Sequence, residues 1–270
     1  MVRKDDSDQL AECHGQVPAT ADGKEHPLKL RRRKKIKVSV IMPARNAEKY
    51  IEEAVRSVLE QRGVAYELLI ADDASTDGTW RRLGLYRRRP HVRIWRFRNS
   101  KRGPGAVRNY LARHAKGAYL AFCDADDKLM PGFLCQTAKR LAKDRKIGAV
   151  YTDRWVKERS GQLRRFSRNA GPADTWDLLG GPLSNPGLVV RRTLFLKLGG
   201  YRKEIPYMED CEFFWRLGEV TRFAHLTKPL YWYRRHRNSL TERYKRKARS
   251  ARKALLREVI MRRHKLRISW

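Results

Sequence analysis

Two rhythms of apolar residues organise the first half of the chain. Residues 36–42 alternate and are rich in β-branched side chains, which predicts a strand. Residues 47–60 carry Ile51, Ala54, Val55, Val58 and Leu59 at helical spacing, with Asn46 placed to cap the start. A second strand covers 66–71 and runs into the acidic, Ser/Thr-rich turn 72–79. A helix through Trp80, Leu83 and Tyr86 and a strand over 91–97 follow. Gly103-Pro104-Gly105 opens a helix carrying Val107, Tyr110, Leu111 and His114. The strand 118–122 and a helix over 131–143 then lead to a strand over 147–152. Alternating strands and helices call for an α/β fold, a Rossmann-like, mainly parallel sheet with helices on both faces.

Beyond Thr152 the rhythm loosens. Residues 154–167 read as a basic hairpin, 187–190 as a short strand and 192–198 as a helical turn. Residues 210–218 form an aromatic-rich helix with Phe213, Phe214, Trp215 and Leu217, and 222–234 supply one or two strands that end the core. Four segments result: a disordered basic leader over 1–35, two halves of one domain over 36–153 and 154–240, and a basic amphipathic helical tail over 241–270.

Charge sharpens the picture. The chain has 62 Lys and Arg against 29 Asp and Glu, a formal net charge of +33, which implies an anionic partner: nucleic acid, an anionic membrane surface or a phosphorylated substrate. In the tail, Ala248, Ala251, Leu255 and Val259 make an apolar stripe flanked by Lys and Arg. Such a helix suits an anionic bilayer, or it packs on its own domain with a solvated basic face; the bilayer is favoured because no acidic surface of this chain offsets the charge. The cluster Arg31-Arg32-Arg33-Lys34-Lys35 is either an anion contact or a solvated tether. Cys13, Cys123, Cys135 and Cys211 show no C-x-x-C spacing, which points to a reducing compartment. No run approaches the roughly 18 to 20 apolar residues of a membrane span, and no signal-peptide core is present. The expected location is the cytoplasm, with the inner face of the membrane as a peripheral site.

Against this basic background the acids stand out. Asp124, Asp126 and Asp127 crowd the end of an apolar strand, where their mutual repulsion is costly unless a cation neutralises them. Hard oxygen ligands there suit Mg2+ or Mn2+, and such an ion suits phosphate chemistry. A merely solvated acidic turn is the competing reading. Asp72 and Asp73 end a second strand, and ligands of parallel sheets sit at the strands' carboxyl ends, so two acid clusters face one crevice.

Val38-Ser39-Val40-Ile41-Met42-Pro43-Ala44-Arg45-Asn46, Asp72-Asp73-Ala74-Ser75-Thr76-Asp77, Gly105-Ala106-Val107-Arg108-Asn109 and Asp124-Ala125-Asp126-Asp127, in that order, resemble family 2 glycosyltransferases. These are inverting, nucleotide-sugar-dependent enzymes of the GT-A fold, and the likeness runs from about residue 37 to 241. The resemblance makes 36–153 the donor half and 154–240 the acceptor half. It implies that Pro43 and Ala44 line the nucleotide pocket and that Asp73 accepts a hydrogen bond from the base, typically uracil; helix capping is the alternative role for Asp72 and Asp73. Asp124 would lie nearer the ribose and Asp126 would bind the metal, with Asp127 able to share either task. Arg108 would meet a phosphate or cover the helix surface. Met208-Glu209-Asp210 resembles the family's E-D element, which makes Asp210 the catalytic base; the acids also suit a helix start. His236, in a segment similar to the family's late Y-R-x-H-x-x-S, would approach the metal or diphosphate, or remain a surface histidine among arginines.

Departures are few. Arg45 replaces a common aromatic, Ala74 replaces the usual glycine, and the Q-x-x-R-W signature of processive synthases is missing after the E-D element. The expected function is therefore metal-dependent, inverting transfer of a single sugar from a nucleotide sugar, UDP-linked by preference, to a glycan or lipid-linked hydroxyl in cell-envelope or polysaccharide biosynthesis. The rival is a non-catalytic basic module on the same scaffold that binds membrane or nucleic acid; the retained acids argue against it and make nucleic acid the less favoured partner.

Overall fold

A computed structural model describes residues 37–98, 102–167, 186–205 and 208–266. The leader 1–35, its basic cluster, Ile36 and the last four residues of the tail lie outside the described residues.

The strand β1 (Val38–Ala44) is buried along nearly its whole length, which is why its sequence is apolar on both faces. It pairs in parallel with β2 (Tyr66–Asp73) and β4 (Tyr119–Phe122), and β3 (Val92–Phe97) extends the sheet beyond β2. The helices α1 (Ile51–Leu59), α2 (Thr79–Leu83) and α4 (Phe133–Lys143) cover one face. On the other lie α3 (Pro104–His114), α5 (Arg192–Lys197) and α6 (Glu209–Gly218). The remaining strands are β5 (Lys128–Leu129), β6 (Ile147–Lys157), β7 (Leu163–Phe166), β8 (Leu188–Arg191) and β9 (Arg222–Arg234). The order across the sheet is β3-β2-β1-β4-β8-β6-β9-β5, with β7 paired to β6 as the expected hairpin.

The α/β class holds, but the sheet is mixed rather than mainly parallel. The reason is β8, which slots between β4 and β6 and runs against both. The crossover through α4 thus skips one position, and β6 finds its parallel neighbour in β9. A second correction concerns Asn46. It does not cap α1, which starts at Ile51 after Tyr50 with no side-chain cap. Asn46 instead takes a left-handed backbone (φ 47°), a state Asn tolerates better than most residues.

The C-terminal helices are α7 (Leu240–Arg243) and α8 (Lys245–Leu266). Leu255 and Val259 of α8 are buried against Cys211 and Trp215 of α6. Ion pairs from Arg262 to Glu219 and from Arg202 to Glu258 reinforce that seam. The central part of the apolar stripe is thus used inside the protein, contrary to the reading that it faces a bilayer. Arg246, Lys247, Lys253 and Arg257 point outward. Among the described residues no helix is long and apolar enough to cross a membrane.

Candidate active site

The carboxyl ends of β1, β2 and β4 meet at one edge of the sheet, and the loops leaving β1 and β2 are stitched together. The Asn46 N–H donates to Ser75 Oγ, and Asn46 Oδ1 accepts from the Thr76 N–H at 2.9 Å. The Ala47 N–H donates to Thr79 Oγ1 at 2.8 Å, and the Glu48 N–H to Asp77 Oδ2 at 3.1 Å. Polar side chains here satisfy loop backbone that no ladder reaches. Ala74 occupies the turn with φ 55°, the left-handed region where the glycine expected at this position would sit without strain.

Pro43 and Ala44 form the tip of β1, with Ala44 in register with Asp72. Asp72 is fully buried; it accepts the Ser75 N–H and hydroxyl, so its task is to close its own turn. Burial pushes its carboxyl up. Asp73 reaches across to α3. Its carboxylate accepts the Arg102 N–H at 2.8 and 3.1 Å and the Gly103 N–H at 3.0 Å. Asp73 is 3% exposed, and both its oxygens hold the loop that leads into α3.

At the tip of β4 the three acids diverge. Asp126 is part-exposed, and its Oδ2 lies 2.8 Å from His236 Nε2, whose ring leans on Tyr50 with centroids 5.0 Å apart. Sequence left His236 as either metal-proximal or a surface residue; the structure sets it beside Asp126. Asp127 turns inward and is 1% exposed. Its oxygens accept the Tyr231 hydroxyl and the Arg234 N–H, each at 2.9 Å. This speaks against its assignment as a metal ligand, because both oxygens are engaged in tying the acidic turn to β9. Burial, then Asp126 and Asp124, hold its carboxyl well above the ordinary range. The Tyr231 hydroxyl also accepts the Asp124 N–H at 3.3 Å.

Asp124 belongs to a second group. Its Oδ1 lies 2.5 Å from Arg108 Nη2, and Arg108 Nη1 lies 3.1 Å from Glu209 Oε1. Arg108 is 4% exposed, so it neither coats the helix surface nor offers its guanidinium to a phosphate, as sequence had suggested. Burial disfavours its charge, but Asp124, Tyr201 and Glu209 outweigh that and raise its pKa. Burial and then Asp210 push the Glu209 carboxyl up to about 7. Asp124 is also raised, by burial first, with Asp126 and Asp210 adding to it and Arg108 opposing.

Asp210 stands in the first turn of α6, its Oδ1 accepting the Cys211 N–H at 2.9 Å. Its charge acts on Asp124, Tyr201 and the half-buried Arg154 of β6. Asp124, Asp126, Glu209 and Asp210 thus form one electrostatic group at one edge of the sheet, and α3 carries it through Gly103 to Asp73. These acids gather at one edge of the sheet, and Asp127 is buried next to them against β9. Sequence reasoning missed the parts played by Glu209, Arg154, Tyr231 and Arg234. Nothing in local spacing announces that β9 folds back beneath the acidic turn. Among the described residues no three His, Cys, Asp or Glu are grouped to hold a metal ion. Asp126 and His236 supply two adjacent donors, a hard oxygen and an imidazole nitrogen, suited to an ion that keeps water or substrate oxygens as its remaining ligands.

Comparison with known proteins identifies the family. The family described as Glycosyl transferase family 2 matches residues 39–199. The chondroitin synthase of Pasteurella multocida is 30% identical over 195 residues, covering 72% of this chain but only 20% of that protein. The chain therefore spans a fifth of the length of that relative. Among solved structures, Staphylococcus aureus TarS with UDP-GlcNAc superposes with a TM-score of 0.66 at 22% identity, over 76% of this chain and 60% of the other. A curated TarS is named poly(ribitol-phosphate) beta-N-acetylglucosaminyltransferase. The mannosyltransferase PcManGT of Pyrobaculum calidifontis with GDP-Man and Mn2+ gives a TM-score of 0.55 at 21% identity, over 74% and 57%. The ordered motifs, the mixed sheet and the match across more than half of its length place this chain in glycosyl transferase family 2.

Proposed function

We propose that the protein transfers a single sugar, with inversion, from a nucleotide sugar to a hydroxyl of a cell-envelope glycan or lipid-linked acceptor. The observation that carries the reading is the gathering of Asp126–His236 and Asp124–Arg108–Glu209 beside Asp210 at the tips of β1, β2 and β4. Asp73, Pro43 and Ala44 hold the nucleotide, with UDP favoured because the structural relative TarS is seen with UDP-GlcNAc. Asp126 and His236 would hold Mn2+ or Mg2+, which when bound offsets charge on the departing diphosphate. The Asp210 carboxylate takes the proton of the acceptor hydroxyl as its oxygen attacks the anomeric carbon, on the face opposite the leaving group. The UDP- and Mn2+-bound relatives support the donor class and the ion, and TarS's polymer supports a cell-envelope acceptor. The outward lysines and arginines of α8 support a cytoplasmic protein held electrostatically, without apolar insertion, against an anionic bilayer.

UDP release from a panel of UDP-sugars with Mn2+ tests this. Asp210→Asn should lower turnover by about 10²- to 10⁴-fold while UDP binding stays within about threefold. EDTA should remove turnover and Mn2+ restore it. Unchanged turnover in the Asn variant would refute the role of Asp210.

A further inference from the structure

Resting on the proposed role of Asp210, we infer that Arg108 and Glu209 are a positioning pair that fixes the rotation of α6, and with it the aim of Asp210, relative to the donor-side acids. The Gly105-Ala106-Val107-Arg108-Asn109 motif would then serve the base rather than the donor's phosphates.

Gly105, Arg108 and Asn109 of that motif engage a common set of neighbours. Gly105 lies so close to α6 that an added Cβ would stand 3.0 Å from Glu209 Cγ and 3.2 Å from Tyr201 Cβ. The missing side chain is what lets Glu209 lie against α3. Asn109 Nδ2 donates to the Tyr201 carbonyl at 2.7 Å, and the Tyr201 N–H donates to Asn109 Oδ1 at 2.9 Å. Between them Arg108 spreads its fork over Asp124 at 2.5 Å and Glu209 at 3.1 Å. One guanidinium thus joins the tip of β4 to the first turn of α6, with its two nitrogens on two different elements. A lysine ammonium is a point charge and has no such fork.

The first turn of α6 needs an external anchor. It begins at Met208 with φ 66°, a state that costs a residue with a side chain about 1–2 kcal/mol. The later part of α6 is held separately, by Arg216 bonding the Leu198 and Gly200 carbonyls. Successive side chains on a helix are about 100° apart. Pinning Glu209 to α3 therefore fixes where Asp210 points, and Glu209 itself needs no contact with substrate.

The test uses the full chain, UDP release from UDP-sugars with Mn2+, and UDP binding by calorimetry. Glu209→Gln keeps the size and the acceptor oxygen but weakens the anchor. At pH 8, where the wild-type carboxylate is ionised, it should lower kcat at least about fivefold with UDP affinity within about threefold, the signature of lost transition-state rather than ground-state interaction. Arg108→Met should lower kcat and also weaken UDP binding, since Asp124 loses its counter-charge. Arg108→Lys should recover less than half of wild-type turnover. Two groups acting through one contact are non-additive, so the Arg108→Met/Glu209→Gln double variant should be no worse than Arg108→Met alone. A Glu209→Gln protein with less than a fivefold loss, or a double variant whose loss is the product of the singles, overturns the inference. Wild-type protein that releases no UDP, or Asp210→Asn with wild-type turnover, overturns the underlying reading instead.

Discussion

Replacing Glu209 by Gln also measures what it costs to keep a carboxylate in this pocket. Burial and Asp210 raise the Glu209 carboxyl from an ordinary 4.5 to about 7. The native state then holds a proton that the unfolded chain has already released. Glu209's contribution to stability is complete below about pH 4.5 and is lost as pH rises through about 7. At about 1.4 kcal/mol for each unit, a shift from 4.5 to about 7 is worth about 3 kcal/mol. Gln has the shape of the protonated side chain and never pays this cost. The variant should match wild type near pH 4.5 and exceed it by about 3 kcal/mol near pH 8. Urea denaturation across that range reads the difference directly; in thermal melts it corresponds to roughly 6–12 °C. Asp72 and Asp127 titrate in both proteins, so they cancel in the comparison, whereas Asp124 and Asp210 share Glu209's field and belong to the effect measured. Parallel stability–pH curves, or a variant less stable near pH 8, would refute the reasoning. The expected result is a more stable and less active protein, the trade-off of a site that holds charge where burial opposes it.

Ala74→Gly should relieve the left-handed strain and gain about 0.5–1 kcal/mol net of the added unfolded-chain entropy, visible as a higher urea midpoint. Tyr231→Phe removes the hydroxyl that joins Asp127 to the Asp124 N–H, and should lose about 1–3 kcal/mol in the same measurement. Leu255→Ala should cost about 2 kcal/mol and make α8 cleavable by trypsin under conditions where wild type is resistant.

Much of the site was legible because strand ends are marked by a change of chemistry. The runs before Asp72 and Asp124 are continuously apolar, so the turns they deliver had to sit at the sheet's edge. Asp127 was misplaced because a carboxylate's direction depends on its partners. The partners here, Tyr231 and the Arg234 N–H, are about a hundred residues away on a strand whose pairing no local pattern encodes. Arg108 was misread for the same reason: a guanidinium on a helix reads as solvent-facing until Asp124 and Glu209 are seen on either side of it. The parallel sheet was overestimated because alternation of strands and helices says nothing about β8, a four-residue strand inserted later in the chain. Asn46 failed as a cap because its side chain had a better offer across the gap, from Thr76.

The contact between α8 and α6 gives the C-terminus a meaning that its charge conceals. Leu255 and Val259 shield Trp215 and Cys211, on the reverse side of the very helix that presents Asp210. Trimming the last segment to reduce the protein's basicity would uncover an indole and a thiol behind the proposed base, and would invite self-association. Surface charge on this segment can be edited residue by residue, but the segment itself backs the helix that carries Asp210.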